Sequence, residues 1–124
     1  MTLIELIRAQ QTARHDAAMA ALDDRACDID LLDRLARSLR GRGWNAQPNV
    51  TTEQVGSTVR VELWLHLSAT ASELADVLEH LGRDEITASR IVHHERRTLR
   101  HYALRLRDCT VQLHAYIHAA RVAA

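Results

Sequence analysis

Histidine and arginine are concentrated in one ten-residue stretch of the chain, HHERRTLRHY at residues 93–102, which holds three of each. Imidazole and guanidinium groups at this density can bind a metal ion, act as acid and base, or contact phosphates. Which of these is open to the segment depends on which side chains share a face. The secondary structure of the last third of the chain therefore decides its chemistry.

Two patterns compete in that last third, where no Gly or Pro occurs after Gly82. HYALRLRDCTVQLHAYI alternates apolar and polar residues, which is typical of half-buried strands, and its β-branched and aromatic residues favour the strand interpretation. The alternative is one long helix with apolar residues three to seven apart. That helix would use Val92, Leu99, Ala103, Leu106, Leu113, Ile117 and Ala120.

The strand interpretation also predicts a register. Apolar residues fall at even numbers before the turn and at odd numbers after it, so they share a face only if the loop has an even length. A loop of residues 107–108, or of residues 106–109, meets this condition. The predicted pairs are Tyr102 with Leu113, Leu104 with Val111, and His101 with His114.

The first 43 residues predict a helical hairpin. TLIELIRAQQTARHDAAMAAL begins with Thr2 and Glu5 at capping-box spacing, and its Ala-rich second half would let another helix approach closely. DIDLLDRLARSLRGRGW predicts the second helix, capped by Asp28 or Asp30 and ended by Gly41 or Gly43. The apolar positions are Leu3, Leu6, Ile7, Ala13, Ala17 and Ala21 in the first helix and Leu32, Leu35 and Leu39 in the second.

Strand and helix patterns continue from residue 44 onwards. WNAQPNVTTEQVGSTV predicts strand-turn-strand or an irregular link, and TVRVELWLHL, with strict alternation, is the clearest strand. TASELADVLEHLG predicts a helix with a capping box at Thr70 and Glu73 and with Gly82 as the residue after its C-cap. EITASRIVHHERR predicts another strand that turns near residues 96–97, so His93 and His94 would point to opposite faces.

These elements predict one α+β domain over residues 1–124. A helical-hairpin subregion, 1–43, precedes a sheet-plus-helix subregion, 44–124, of order β-β-α-β-β-β. The sheet is expected to be antiparallel or mixed, with one apolar face covered by helix and one face of Arg, His and aromatic residues. The candidate binding residues on that second face are Arg60, Trp64, His66, His101, Arg105, Arg107, His114, Tyr116 and His118.

The spacings of the histidines and of the other polar residues give little support for a metal site or for catalysis. On a strand, His114 and His118 are about 13 Å apart and cannot share an ion. Only His101 and His114 could converge across strands, with His66 if its strand is adjacent. Neither a nucleophile elbow, a P-loop nor a Gly-rich dinucleotide turn is present. We therefore predict no metal, no cofactor and no enzymatic activity.

Charge and composition narrow the class of partner. Sixteen basic residues, all Arg, balance sixteen acidic ones, which argues against binding nucleic acid through bulk charge. Residues 90–107 are locally basic, with six Arg and a single acid, so nucleic acid is kept as the alternative partner. Arg, Trp and Tyr are also enriched at protein interfaces. The primary prediction is therefore a protein or nucleoprotein partner.

The remaining expectations concern origin and location. The absence of Lys and the abundance of Ala and Arg indicate a GC-rich bacterial or phage gene. We expect a non-enzymatic accessory protein, such as an inhibitor of a host or defence machine, with a virion assembly component or a His-metal protein as the alternative. A homodimer is expected. No apolar run long enough for a membrane span and no signal peptide are visible, and the two Cys lie far apart, which favours the cytoplasm and no membrane partner.

Overall fold

The computed structural model describes residues 1–119, and within them helices precede a five-stranded mixed sheet. The α+β prediction and the preference for strands in the last third are confirmed. Ala120, which the helical alternative used, lies outside the described residues. The elements are α1 Leu3–Asp24, α2 Ala26–Gly41, β1 Asn45–Val55, β2 Thr58–Ala69, α3 Ala71–Arg83, β3 Thr87–Arg90, a 3₁₀ helix η1 Val92–His94, β4 Leu99–Leu106 and β5 Cys109–Ile117.

The strands lie in the order β1-β2-β5-β4-β3. Neighbours pair antiparallel except β2 and β5, which are parallel because α3 carries the chain from β2 to the far edge of the sheet. The chain then returns through β4 to β5, which lies between β4 and β2. Pro48 is on β1, an edge strand, where a missing backbone donor breaks no inner ladder.

The predicted register of the β4–β5 hairpin is confirmed. Tyr102 pairs with Leu113 and His101 with His114, around a two-residue turn at 107–108. The physical reason is that a shift of one residue would expose the whole apolar set of one strand.

Helices α2 and α3 cover the apolar face of the sheet, and α2 packs mainly on β1. The buried side chains of the two helices and of β2, β4 and β5 form one core. Its largest fully buried members are Leu32, Leu39, Leu63, Leu65, Leu67, Leu74, Leu81, Leu104, Leu113, Val77 and Val111. The opposite face of the sheet therefore receives the polar residues of each strand.

Local signals set most helix ends. Both predicted capping boxes are confirmed, at Thr2 and Thr70. Helix α2 ends in a Schellman motif at Gly43, whose φ is 91°. The Trp44 amide donates to the Leu39 carbonyl at 3.2 Å, so a glycine ends this helix as predicted.

Helix α3 does not end at Gly82, and that prediction was wrong. The helix continues to Arg83, and Glu85 takes the left-handed conformation with φ 62°. The Glu85 amide donates to the Gly82 carbonyl, and the Ile86 amide donates to the Leu81 carbonyl at 2.9 Å. Ile86 and Leu81 both pack in the core, so this apolar contact places the motif three residues beyond the glycine.

The two N-terminal helices are confirmed, but their packing differs from the expected hairpin. A single residue, Arg25, separates them, and α1 contacts β2 more than it contacts α2. No residue of α1 is buried, so its apolar stripe does not pack on α2. The expected caps are also corrected, since Arg25 is the N-cap of α2 without a side-chain bond, and its Nε instead pairs with Asp28 Oδ2 at 2.7 Å.

The strand expected over residues 85–97 is shorter than its pattern indicated. β3 ends at Arg90, and Val92–His94 form a turn of 3₁₀ helix. The tight turn lies at residues 97–98, enclosed by a bridge between Arg96 and Leu99. His93 and His94 therefore do not lie on opposite faces of a strand, and that expectation was wrong.

No helix among residues 1–119 is both long and apolar enough to span a membrane. Both cysteines are free, with Cys27 exposed and Cys109 buried in the core. Burial raises the pKa of the Cys109 thiol, which keeps it protonated. Cys109 is thus a packing residue and not a nucleophile.

Candidate binding face

Five predicted residues of the polar sheet face meet at its centre. The parallel pairing of β2 with β5 sets His66 beside His114, and the antiparallel pairing of β4 with β5 sets His101 on the other side of His114. Trp64 and Tyr116 flank these positions on β2 and β5. Together with His94, described below, we call them the ring cluster: Trp64, His66, His94, His101, His114 and Tyr116.

The rings of the cluster are in continuous contact across three strands. The His114 ring meets the Trp64 ring edge-on at 4.9 Å between centroids, and the His101 ring at 4.5 Å and 88°. His66 stacks on Tyr116 at 6.0 Å. Such edge-to-face and offset contacts are the favoured arrangements of aromatic rings. The cluster is therefore a packed surface and not a set of independent side chains.

Trp64 is held in place by the neighbouring edge strand. Its Nε1 donates to the Thr51 hydroxyl at 2.9 Å, across the β1–β2 ladder. This hydrogen bond satisfies the indole N–H and fixes the orientation of the ring, and the rest of the ring faces the cluster.

His94 is a member of the cluster that the sequence did not predict. The 3₁₀ turn brings its ring to 5.4 Å from the His101 ring and 4.0 Å from that of His93. An alternating strand would have sent neighbouring histidines to opposite faces. The available signal was the dense His and Arg content of residues 93–102, but this composition alone does not specify a turn.

His101 is the buried anchor of the cluster, with only 6% of its surface exposed. Its Nε2 donates to the Gln112 side-chain oxygen on β5, which sets the tautomer and the ring orientation. Its Nδ1 is buried and has no hydrogen-bond partner among residues 1–119.

Two imidazoles of the cluster have lowered pKa values. Burial lowers the pKa of His114, and the nearby rings of His101, His66 and His94 lower it further. Burial, His93 and His101 lower the pKa of His94 in the same way. Both effects disfavour the imidazolium form. His94 and His114 are thus uncharged rings near neutral pH.

The predicted arginines lie at the periphery of the ring cluster. Arg60 pairs with Glu62 at 3.4 Å near the start of β2. Arg105, near the end of β4, donates to the Thr110 hydroxyl at 3.5 Å. Arg107 lies in the β4–β5 turn with φ 52°, and its side chain borders a cavity with Glu85. The structure therefore separates Arg107 from the cluster, contrary to the sequence prediction.

His118 also lies apart from the cluster. It follows the end of β5, where its amide donates to the Ala69 carbonyl at 3.0 Å. Its side chain borders a different cavity, beside Thr70 and Glu73. Placing His118 on the binding face was wrong, because β5 ends at Ile117 and the alternation ends with it.

An open cleft of about 570 Å³ lies over the cluster. Its lining combines rings, one arginine and one carboxylate, namely Glu62, Trp64, His94, Arg96, Leu99, His101, Gln112, His114 and Tyr116. Within residues 1–119, no three His, Cys, Asp or Glu side chains are arranged to hold a metal ion. The cleft is thus best suited to contact with apolar, aromatic or anionic groups.

Comparison with protein-family models, with curated proteins and with solved structures found no match to this chain.

Proposed function

We propose that the ring cluster is the binding surface for a protein partner and that the chain acts as a non-enzymatic accessory protein. The observation that carries this proposal is a continuous set of rings at the centre of a sheet face. Both core helices, α2 and α3, lie on the other side of the sheet, and the rings line an open cleft. Tyr116 is 45% exposed even though its backbone is in an inner strand.

A partner can bury this face at a low cost in desolvation and side-chain entropy. Trp and Tyr supply large contact areas with few rotatable bonds, which is why they dominate interface energetics. Uncharged His94 and His114 can be desolvated by a partner at much lower cost than imidazolium groups. The fixed orientation of Trp64 and His101 reduces the side-chain entropy lost on binding. These features favour a protein surface over a diffuse polyanion.

Substitution of the exposed rings tests the proposal. The combined change Trp64→Ala and Tyr116→Ala should abolish capture of the bound partner from an extract of the source cells, while circular dichroism stays unchanged. Val55→Ala is the matched control, because Val55 is a similar 42% exposed but lies at the end of β1, outside the ring cluster and outside α1. Equal capture by the double variant and the control would refute the proposal.

Nucleic acid is the second candidate partner, favoured by Arg96 in the cleft wall. No carboxylate pairs with Arg96 or Arg105 among the ion pairs of the described residues, in contrast to Arg60 and Arg90. Bases could stack on Trp64 while these guanidinium groups contact phosphates. This candidate predicts binding of labelled single-stranded oligonucleotides that weakens steeply with salt and with Arg96→Ala plus Arg105→Ala. Failure to bind at low salt would rule it out.

The biological setting is part of the same proposal. A Lys-free, Arg-rich composition supports a GC-rich bacterial or phage source, and a small single domain suits an inhibitor of a host or defence machine. A virion assembly component is the alternative. Identification of the captured protein by mass spectrometry distinguishes the two, since the first predicts a host protein and the second a virion protein.

A further inference from the structure

The N-terminal half of α1 presents an apolar surface that nothing in residues 1–119 covers. Leu3 is 71% exposed and Ile4 62%, and the nearby Leu6 and Ile7 are also exposed. Only the other end of the helix, at Ala18, Ala21 and Leu22, is half-buried. We call the exposed apolar residues Leu3, Ile4, Leu6 and Ile7 the α1 patch. Four large apolar residues within five positions form an unusual surface for a monomer.

A groove of about 620 Å³ lies at the opposite end of α1, between the α1–α2 junction and β1. Its floor and sides are apolar and its rim carries three carboxylates. The residues are Leu22, Ala26, Ile29, Leu32, Pro48, Asn49 and Val50, with Asp23, Asp30 and Asp33. We call it the junction groove. An apolar segment with a basic flank would complement it.

We propose that a second copy of this chain pairs with α1 antiparallel, so that the α1 patch of each copy enters the junction groove of the other. Helix α1 has 22 residues and is about 33 Å long, so the patch and the groove lie at opposite ends of one rod. Antiparallel pairing brings both complementary ends together at once. The contact is two-fold and closed, so it stops at a dimer.

Side-chain size supports the antiparallel direction. Four of the six large apolar residues of α1 lie at its start, whereas its second half contains Ala17, Ala18, Ala20 and Ala21 beside Met19 and Leu22. Antiparallel copies set large residues against small ones, which allows the helices to approach closely and interdigitate. Parallel copies would set large against large and leave the alanines too far apart to pack.

Charge supports the same direction. The first half of α1 contains Arg8, and its one carboxylate, Glu5, is engaged in the capping box with Thr2, whereas the helix ends in Asp23 and Asp24. Antiparallel pairing places Arg8 of each copy near the acidic end of the other, at the rim of the junction groove. Parallel pairing would place the terminal aspartates of both copies side by side, which is destabilising.

This inference goes beyond the proposed function and uses a separate surface. The α1 patch and the junction groove share no residue with the ring cluster. A dimer would therefore present two copies of the ring cluster, and either proposal can fail without the other.

Solution mass is the first test. Multi-angle light scattering should give twice the chain mass of 14.0 kDa for the unmodified protein. Ile4→Glu with Ile7→Glu should return the mass to that of one chain, with circular dichroism unchanged because both side chains are exposed within one copy. Arg97→Glu, an exposed charge change on the 97–98 turn, is the control and should stay dimeric. A mass of one chain for the unmodified protein at every concentration would overturn the proposal.

Charge exchange and cross-linking test the direction. Arg8→Asp and Asp23→Arg should each weaken the dimer, and their combination should restore it. In a Cys27→Ser background, mixed Ile4→Cys and Ala20→Cys chains should form a disulfide-linked dimer. Cross-linking of Ile4→Cys chains to one another, with none between the mixed chains, would show parallel pairing and overturn the proposal.

Discussion

Acidification should destabilise this fold through the ring cluster, and His114 is the group to follow. Its pKa is lowered by burial and by three neighbouring histidines, so the folded state disfavours its protonation. The unfolded chain protonates it near the ordinary value of about 6.5. Above that pH His114 is neutral in both the folded and the unfolded chain, so it does not change the free energy of unfolding. As the pH falls below about 6.5, the unfolded state binds a proton that the folded state excludes, and stability is lost until the folded pKa is passed.

The size of the effect follows from proton linkage. One excluded proton gives a slope of at most about 1.4 kcal/mol per pH unit, between the unfolded and the folded pKa of His114. Each unit by which burial lowers the folded pKa therefore corresponds to about 1.4 kcal/mol lost. Because the pKa values of His94 and His114 are both lowered and the two rings influence each other, protonation of His94 raises the cost of protonating His114.

Urea unfolding between pH 8 and pH 5, followed by circular dichroism, measures this slope. His114→Gln should flatten the profile below pH 6.5, even if the substitution itself changes stability at pH 8. His15→Gln serves as the control for removing one imidazole, because His15 is exposed on α1. A slope that is identical in the unmodified protein and in His114→Gln would refute the burial and ring-to-ring argument.

Three further predictions concern stability and can be checked by thermal and urea unfolding. Glu85→Gly should stabilise the protein by about 1 kcal/mol, because a residue with a side chain occupies a left-handed position at the end of α3. Gly43→Ala should destabilise the protein by a similar amount, because it adds a side chain at a left-handed position. Changes of the opposite sign would contradict the Schellman assignment. Thr70→Ala should cost about 1 kcal/mol by removing the cap of a core helix. Thr2→Ala should cost less, since α1 has no buried residue within one chain. Equal losses would show that both helices belong to one cooperative unit of the single chain. Leu113→Ala should cost about 2–5 kcal/mol, because this side chain is fully buried at the centre of β5; a loss below 1 kcal/mol would contradict the position of the core.

Patterns of a few neighbouring residues were sufficient to predict the structure where one local interaction dominates. The capping boxes at Thr2 and Thr70 depend only on side chains that satisfy free amides within one turn, so they can be identified from spacing of three residues. The pairing of His101 with His114 followed from the parity of apolar residues around a two-residue turn. In these cases a different structure would leave backbone amides unpaired or apolar side chains exposed, and the residues nearby in sequence are sufficient to predict this.

Prediction failed where tertiary contacts opposed a local signal. Gly82 is a favoured helix-ending residue, yet the contact between Ile86 and Leu81 moved the end to Glu85. The apolar stripe of α1 predicted packing on α2, yet the single-residue break at Arg25 directs α1 elsewhere. Apolar periodicity shows which face of a helix could be buried, but it does not specify what covers that face.

The sequence by itself determined the type of most elements, the α+β class, the β4–β5 register and the polar face that carries Trp64, His101, His114 and Tyr116. These depend on periodicity along one strand or across one short turn. Only the tertiary structure decided that β2 lies parallel to β5, which brings His66 beside His114, and that a 3₁₀ turn adds His94. The physical reason is that strand order and turn geometry depend on how α3 carries the chain across the sheet and on packing between residues distant in sequence.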